Sequence, residues 1–269
     1  MAQRYVRIQT GDGQIHYGLL QLNREVEILS AAPWLEGKSV GTVLDPDRYQ
    51  LLAPCTPSKI VAVGKNYAAH AAEMGGEVPA EPLIFLKPSS AIIADQSPIF
   101  YPPQSQRVDY EGELAIVISE TCRDCSALEA QTKIWGYTIA NDVTARDLQK
   151  SDATWTRGKG FDTFCPLGPW IVREVAAGAL LQTFLNDDRQ PVQSAAIDQM
   201  VFSPETIVSY ISHIMTLLPG DVILTGTPEG IGPVQVGDTI HVEIEGIGRI
   251  SNPVQARPLI STEKNGLST

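Results

Sequence analysis

The chain has little covalent stapling and no obvious anchor. Only four cysteines occur in 269 residues, which excludes a disulfide-built scaffold. Cys122-Arg123-Asp124-Cys125 lacks the second pair that a structural zinc site requires, so the expectation is reduced thiols on a solvated turn. No apolar run approaches the roughly 18 residues of a membrane-spanning helix. The opening stretch MAQRYVRIQTGDG shows neither the apolar segment nor the small-residue cleavage site of a secretory signal, so a cytoplasmic protein is expected. Basic residues are also scarce: 20 against 31 acidic ones gives a formal charge of −11, which repels nucleic-acid phosphates and anionic lipid alike. Neither is an expected partner. Fixed-period repeats and low-complexity tracts are absent as well. What the chain does have is 43% apolar residues, enough for a full hydrophobic core.

From Tyr5 to about Leu52, short strand-like pieces alternate with turn signals at Gly11-Asp12-Gly13 and Asn23-Arg24, the pattern of a small β-meander. The proline-marked stretch Pro54-Cys55-Thr56-Pro57 then separates residues 1–55, a small N-terminal β domain, from residues 56–269, the main domain. Beyond it strand patterns dominate: Leu83 to Leu86, Glu113 to Ile118, Ile134 to Ala140, Trp170 to Val172, Asp221 to Thr225, and the pair Thr239 to Ile244 and Gly248 to Ser251. Helices are expected only at Ser126 to Gln131, Val143 to Gln149 and Ser203 to Thr216, the last with Ser203 as N-cap and Pro204 at the first helical position. Strands outnumber helices without βαβ alternation, which makes the fold class α+β.

Chemistry concentrates first in Asp109-Tyr110-Glu111-Gly112-Glu113. On an extended chain, residues two apart share a face, so Glu111 and Glu113 point together. Two like charges at that spacing call for a cation, a proton or water. A lone pair of this kind is more often a solvated strand end. The balance shifts because Asn141-Asp142 follows a second strand and supplies a third carboxylate. Hard oxygen ligands without Cys or His select Mg²⁺ or Mn²⁺ over zinc.

His70 and Glu73 lie three apart in an alanine-rich segment and share a face if it is helical. A carboxylate on one imidazole nitrogen raises the basicity of the other, which suits a general base, although an exposed amphipathic turn fits the same spacing. Gly64 on one side and Gly75-Gly76 on the other would let this turn order over a ligand. Lys159 sits between glycines in Arg157-Gly158-Lys159-Gly160 and is by itself an ordinary surface lysine. The loop Thr225 to Gly232 (TGTPEGIG) lacks the GK[ST] ending of a phosphate loop, which disfavours nucleotide binding.

Six segments in one order, Gly64-Lys65-Asn66-Tyr67, Phe85-Leu86-Lys87-Pro88, Asp109 to Glu113, Asn141 to Gln149 (NDVTARDLQ), Arg157 to Pro166 (RGKGFDTFCP) and Leu224 to Gly232 (LTGTPEGIG), resemble the fumarylacetoacetate hydrolase family. Within it the chain is most similar to the shorter acylpyruvase and oxaloacetate decarboxylase-like group. The resemblance implies a mixed β-roll or β-sandwich catalytic domain, a homodimer, and Mg²⁺ or Mn²⁺ on Glu111, Glu113 and Asp142. It further implies His70 and Glu73 as a catalytic dyad on a mobile lid and Lys159 beside the metal, stabilising an oxyanion or enolate. Gln149, and Thr227 with the neighbouring Gly226 N–H, would contact the substrate, and Thr163 would lie near the metal. Arg146 and Asp147 read as a structural ion pair, and His16, His213 and His241 as structural.

The expected substrate is a small 2-oxo acid. Acylpyruvate-type hydrolysis of a 2,4-dioxo acid through a metal-bound enolate ranks first. Oxaloacetate decarboxylation, or keto–enol tautomerisation and double-bond isomerisation, follows closely because the intermediate is shared. A non-catalytic 2-oxo acid-binding protein is the remaining alternative.

Overall fold

A computed structural model describes residues 2–186 and 189–258, so the tail of the expected 56–269 segment beyond 258 lies outside the described residues. Strands dominate and helices are few and short, as α+β requires. The N-terminal strands Arg4–Thr10, Ile15–Leu20, Val26–Leu29 and Ser39–Leu44 form an antiparallel meander, with Tyr49–Leu52 returning against the first. Tyr5 pairs with Ile171, so the meander continues a larger sheet ordered Cys165–Val172, Ile134–Asn141, Gly112–Ile118, Val222–Leu224, Ile60–Gly64 and Leu83–Lys87.

Gly112–Ile118 is the central strand and is buried along its whole length. Its apolar run has no polar face because both faces are covered. Leu114 packs with Ile139 against Leu181, Val242, Ile244 and Ile250 of a second sheet, built from Gln193–Ala196, Leu180–Leu185, Thr239–Ile244, Gly248–Ala256 and Ile99–Tyr101. Ile116 and Ile118 pack with Ile207, Val208 and Ile211 of helix Pro204–Ser212, while Ala115 and Val117 belong to another part of the core. Leu114, Ile116 and Ile118 share one face of the strand, so the second sheet covers its start and this helix its end on the same side.

Close strand approach fixes some residues by size alone. A Cβ on Gly136 would stand 2.3 Å from the Val172 carbonyl oxygen, a backbone atom that cannot swing aside. Gly136→Ala is expected to destabilise the fold by about 1–3 kcal/mol, read as a lower denaturant midpoint at unchanged slope.

Several local expectations change. Ser126 does cap helix Ala127–Lys133, through a reciprocal box with Glu129. Ser203 precedes Pro204 at a helix start, but its hydroxyl pairs with Thr206 Oγ1 at 2.9 Å and caps no backbone N–H; the helix ends at Ser212, short of Thr216. The segment expected to be helical from Val143 first adds a short strand, Thr144–Ala145, and turns helical only over Arg146–Ser151. The cysteine turn is solvated only at Arg123 and Asp124. Cys122 and Cys125 are buried free thiols with their sulfurs 2.8 Å apart, and burial, the larger cause, raises the Cys122 thiol to about 12.

Candidate active site

The central strand does not begin at Asp109. Val108–Tyr110 belongs to a small three-stranded sheet, and the chain crosses to the main sheet at Glu111. Asn141 fixes that crossing: its side-chain oxygen accepts the Glu111 N–H at 2.9 Å, and the Glu111 carbonyl accepts the Asp142 N–H at 2.8 Å. Gln193, reaching in from the second sheet, accepts the Gly112 N–H at 3.0 Å. These bonds hold Glu111, Glu113 and Asp142 so that one carboxylate oxygen of each lies within 4.8 Å of the others. All three are nearly fully buried.

The surrounding charges are specific. Lys159 Nζ donates to Glu111 Oε2 at 2.7 Å and Asp142 Oδ2 at 2.5 Å. Arg146 binds Asp109 Oδ2 at 2.8 Å and also Glu111 Oε1. Lys87, almost wholly buried, donates to the Lys159 carbonyl at 2.5 Å and lies 2.6 Å from Asp142 Oδ1. That last contact is an ion pair outside hydrogen-bond geometry, because Asp142 Oδ1 accepts no hydrogen bond. Burial would raise the Glu111 carboxyl, but Lys159 and Arg146 outweigh it and hold it well below the usual carboxylate range. Glu113 is pushed the other way, first by burial and then by Asp142 and Glu111. Among the described residues it has no Lys or Arg partner within ion-pair distance and accepts only the Gly226 N–H, at 2.7 Å.

Four buried carboxylates, Asp109, Glu111, Glu113 and Asp142, thus face three buried cations, Lys87, Arg146 and Lys159, with the half-exposed Arg107 as a further partner of Asp109 alone. A hard divalent cation fits this set. It would satisfy the undonated Asp142 Oδ1 and remove the like-charge conflict at Glu113, through oxygen donors of the kind Mg²⁺ and Mn²⁺ prefer.

His70 and Glu73 lie on helix Ala68–Glu73, with His70 Nδ1 3.2 Å from Glu73 Oε2. The other Glu73 oxygen accepts the Gly230 N–H at 3.1 Å. His70 is buried, whereas the Glu73 side chain keeps 33% of its exposure. The imidazole, the three carboxylates, Lys159, Gln149 and Thr227 line one narrow cleft, walled by Phe85 and Trp155. Gln149 Oε1 is approached by Arg146 at 3.4 Å, which leaves its amide N–H groups for a ligand.

Not every expected residue joins. Gly226 does not offer its N–H to a substrate carboxylate, since that N–H holds Glu113. Thr227 lines the cleft, but its hydroxyl donates to the Gly112 carbonyl at 2.9 Å and accepts from Gln193 at 2.8 Å. Thr163 accepts the Phe100 N–H at 2.8 Å and is not among the residues lining the cleft. Arg146 and Asp147 do not pair with each other: Asp147 binds Ser105 Oγ at 2.6 Å and the Gln106 N–H at 2.8 Å. His213 and His241 bond to Ser209 and Ser251, as structural histidines do. Asn66, Lys87 and Asn141 stand in the collinear segments without a role assigned from the sequence, and Gln193 stands outside them. Asn66 ties the start of the segment leading into helix Ala68–Glu73 to the glycine loop, donating to the Thr225 carbonyl at 2.7 Å and accepting from Phe202 N at 2.7 Å.

Residues 59–255 match the family model described as fumarylacetoacetate (FAA) hydrolase C-terminal, and residues 3–54 match one described as Rv2993c-like, N-terminal. "Protein Rv2993c" of Mycobacterium tuberculosis is 56% identical over 209 residues, covering 76% of this chain and 78% of its own. "Oxaloacetate tautomerase FAHD2A, mitochondrial" of Bos taurus is 44% identical over 224 residues, covering 79% of this chain and 71% of its own. A crystal structure titled 2-hydroxyhepta-2,4-diene-1,7-dioate isomerase, from Mycobacterium marinum, superposes with a TM-score of 0.87 at 43% identity, covering 96% of this chain and all of that one. With the fold, the collinear motifs and the family match in agreement, the chain belongs to the fumarylacetoacetate hydrolase family.

Proposed function

We propose that this chain is a Mg²⁺- or Mn²⁺-dependent enzyme that moves a proton at C3 of a small 2-oxo acid, with keto–enol tautomerisation as its principal reaction. The observation that carries this reading is a buried carboxylate trio sharing one cleft with an oriented histidine. A divalent cation on Glu111, Glu113 and Asp142 would supply Lewis-acid polarisation of the 2-oxo acid, worth several kcal/mol. His70, oriented through Nδ1 by Glu73, uses its other nitrogen to take a proton from C3 and to return it. Lys159 sets an ammonium beside the oxygen on which negative charge develops. Gln149 donates its amide to the substrate carboxylate, and Phe85 and Trp155 keep water from the planar enol. The named tautomerase and isomerase relatives support this order of preference.

Hydrolysis of a 2,4-dioxo acid is the second reading. It is favoured by the partial exposure of Glu73, which gives water a route to the dyad. There His70 deprotonates water, the water oxygen adds to C4, the C3–C4 bond breaks, and its electron pair takes up a proton at C3. Decarboxylation of oxaloacetate needs no base and would leave the dyad without a task.

A panel of oxaloacetate and acetylpyruvate with Mg²⁺ or Mn²⁺, following enol absorbance, pyruvate and carbon dioxide separately, tests the proposal. Metal-dependent enol decay without matching pyruvate or carbon dioxide is the expected result. Metal-dependent pyruvate release from acetylpyruvate would favour hydrolysis. Oxalate binding with no turnover of either compound would overturn the enzyme reading in favour of a binding protein.

A further inference from the structure

Four cationic side chains line or abut the cleft, and three are already committed. Lys87 and Lys159 are held on Asp142 and Glu111, and Arg146 on Asp109 and Glu111. The fourth, Lys65, also lines the cleft, yet it makes no ion pair and no side-chain hydrogen bond among the described residues. Its placement is constrained. Lys65 follows the buried strand Ile60–Gly64 in the left-handed region, at φ 57, a conformation uncommon for a residue with a side chain. The flanking residue Asn66 is locked by three hydrogen bonds to Phe202 and Thr225. The left-handed turn directs the Lys65 side chain under the end of the lid helix. Its Nζ there lies 2.8 Å from where a Cβ on Gly76 would sit, so a side chain at that position would make the ammonium shift.

We propose that Lys65 is a specificity-determining residue that receives the second, distal carboxylate of a dicarboxylic 2-oxo acid. This rests on the reading above, in which the first carboxylate and the 2-oxo oxygen face the trio and Lys159. The far end of the substrate then passes His70 toward the partly exposed lining residues Lys65 and Met74. A half-buried ammonium with no protein carboxylate gains a partner only when such a ligand enters, and an acidic chain of net charge −11 has reason to keep one such cation uncommitted. The contact also joins substrate to lid, because the ammonium abuts Gly76 at the end of the lid segment.

Oxaloacetate and acetylpyruvate form a matched pair for the test: at C4 the first carries a carboxylate oxygen where the second carries a methyl. In metal-loaded enzyme, Lys65→Met is expected to raise KM for oxaloacetate about 10- to 100-fold, the size of a charge-assisted hydrogen bond, with little change in kcat. KM for acetylpyruvate, and calorimetric affinity for oxalate, which has no distal group, should stay at the wild-type values. Gly76→Ala, which keeps the lysine but displaces its ammonium, should move KM for oxaloacetate in the same direction, and Lys65→Arg should restore much of the loss. Equal losses for both substrates, or no change for either, would overturn the assignment of Lys65 while leaving the proposed function intact. Absence of turnover in the wild-type enzyme would instead sink the proposed function; unchanged binding of oxaloacetate by Lys65→Met in calorimetry would then overturn the Lys65 assignment as well.

Discussion

His70→Ala is expected to lower turnover about 10²- to 10⁴-fold while leaving oxalate affinity unchanged, because His70 is placed to move a proton and not to hold the ligand. Its Nδ1 is turned to Glu73, its ring is buried, and it takes no part in the ion pairs that fix the trio. Stopped-flow enol absorbance and oxalate calorimetry on the same preparation separate the two quantities. Loss of both together would mean that the helix Ala68–Glu73 carries binding as well as chemistry. Retention of both would remove His70 from the mechanism and favour decarboxylation, for which the cation suffices.

The second large effect concerns Glu113. Its carboxyl is raised above the ordinary 4.5, so the folded chain binds that proton more tightly than the unfolded chain does. The sign follows from linkage: without a divalent cation, Glu113 favours the fold at low pH and costs stability as pH rises from about 4.5 through the raised value. Glu113→Gln removes that cost. The variant, without metal, should therefore be more stable than wild type at neutral pH, with the difference vanishing toward pH 4. In the presence of Mn²⁺ the order should reverse, because wild type gains binding energy that the amide gives up. The loss in Mn²⁺ affinity should exceed the ~10- to 100-fold typical of residues one shell further out. Thermal melts across pH, with EDTA or with Mn²⁺, read both halves. A variant less stable than wild type under both conditions would contradict the account of a buried carboxylate waiting for a cation.

Much of the site was legible because its parts lie close in sequence. Glu111 and Glu113 are two apart at the head of an apolar strand, Asp142 ends the neighbouring strand, and His70 and Glu73 share one helical turn. Each is a short-range consequence of side-chain periodicity. The residues that were missed act across long separations. Gln193 reaches Gly112 from 81 residues away and Lys87 reaches Asp142 from another edge of the sheet, and neither spacing leaves a local signature. Gly226 differs from expectation for a related reason: a glycine loop after a strand announces free N–H groups without saying which carboxylate they meet, and here it is Glu113. The strand Leu180–Leu185 and its partner Gln193–Ala196 carry no clear pattern because their buried positions include polar Thr183 and Gln193 while Leu180 is exposed, in a run poor in β-branched residues. Lys87 did carry one usable sign, a lysine closing an apolar strand before a proline.

The most direct test of the whole account is anomalous diffraction from crystals grown with Mn²⁺. The account predicts a single strong peak within coordination distance of one oxygen each of Glu111, Glu113 and Asp142, absent in Glu113→Gln. A Mn²⁺ peak elsewhere, with these three carboxylates still held by Lys87, Arg146 and Lys159 alone, would contradict it.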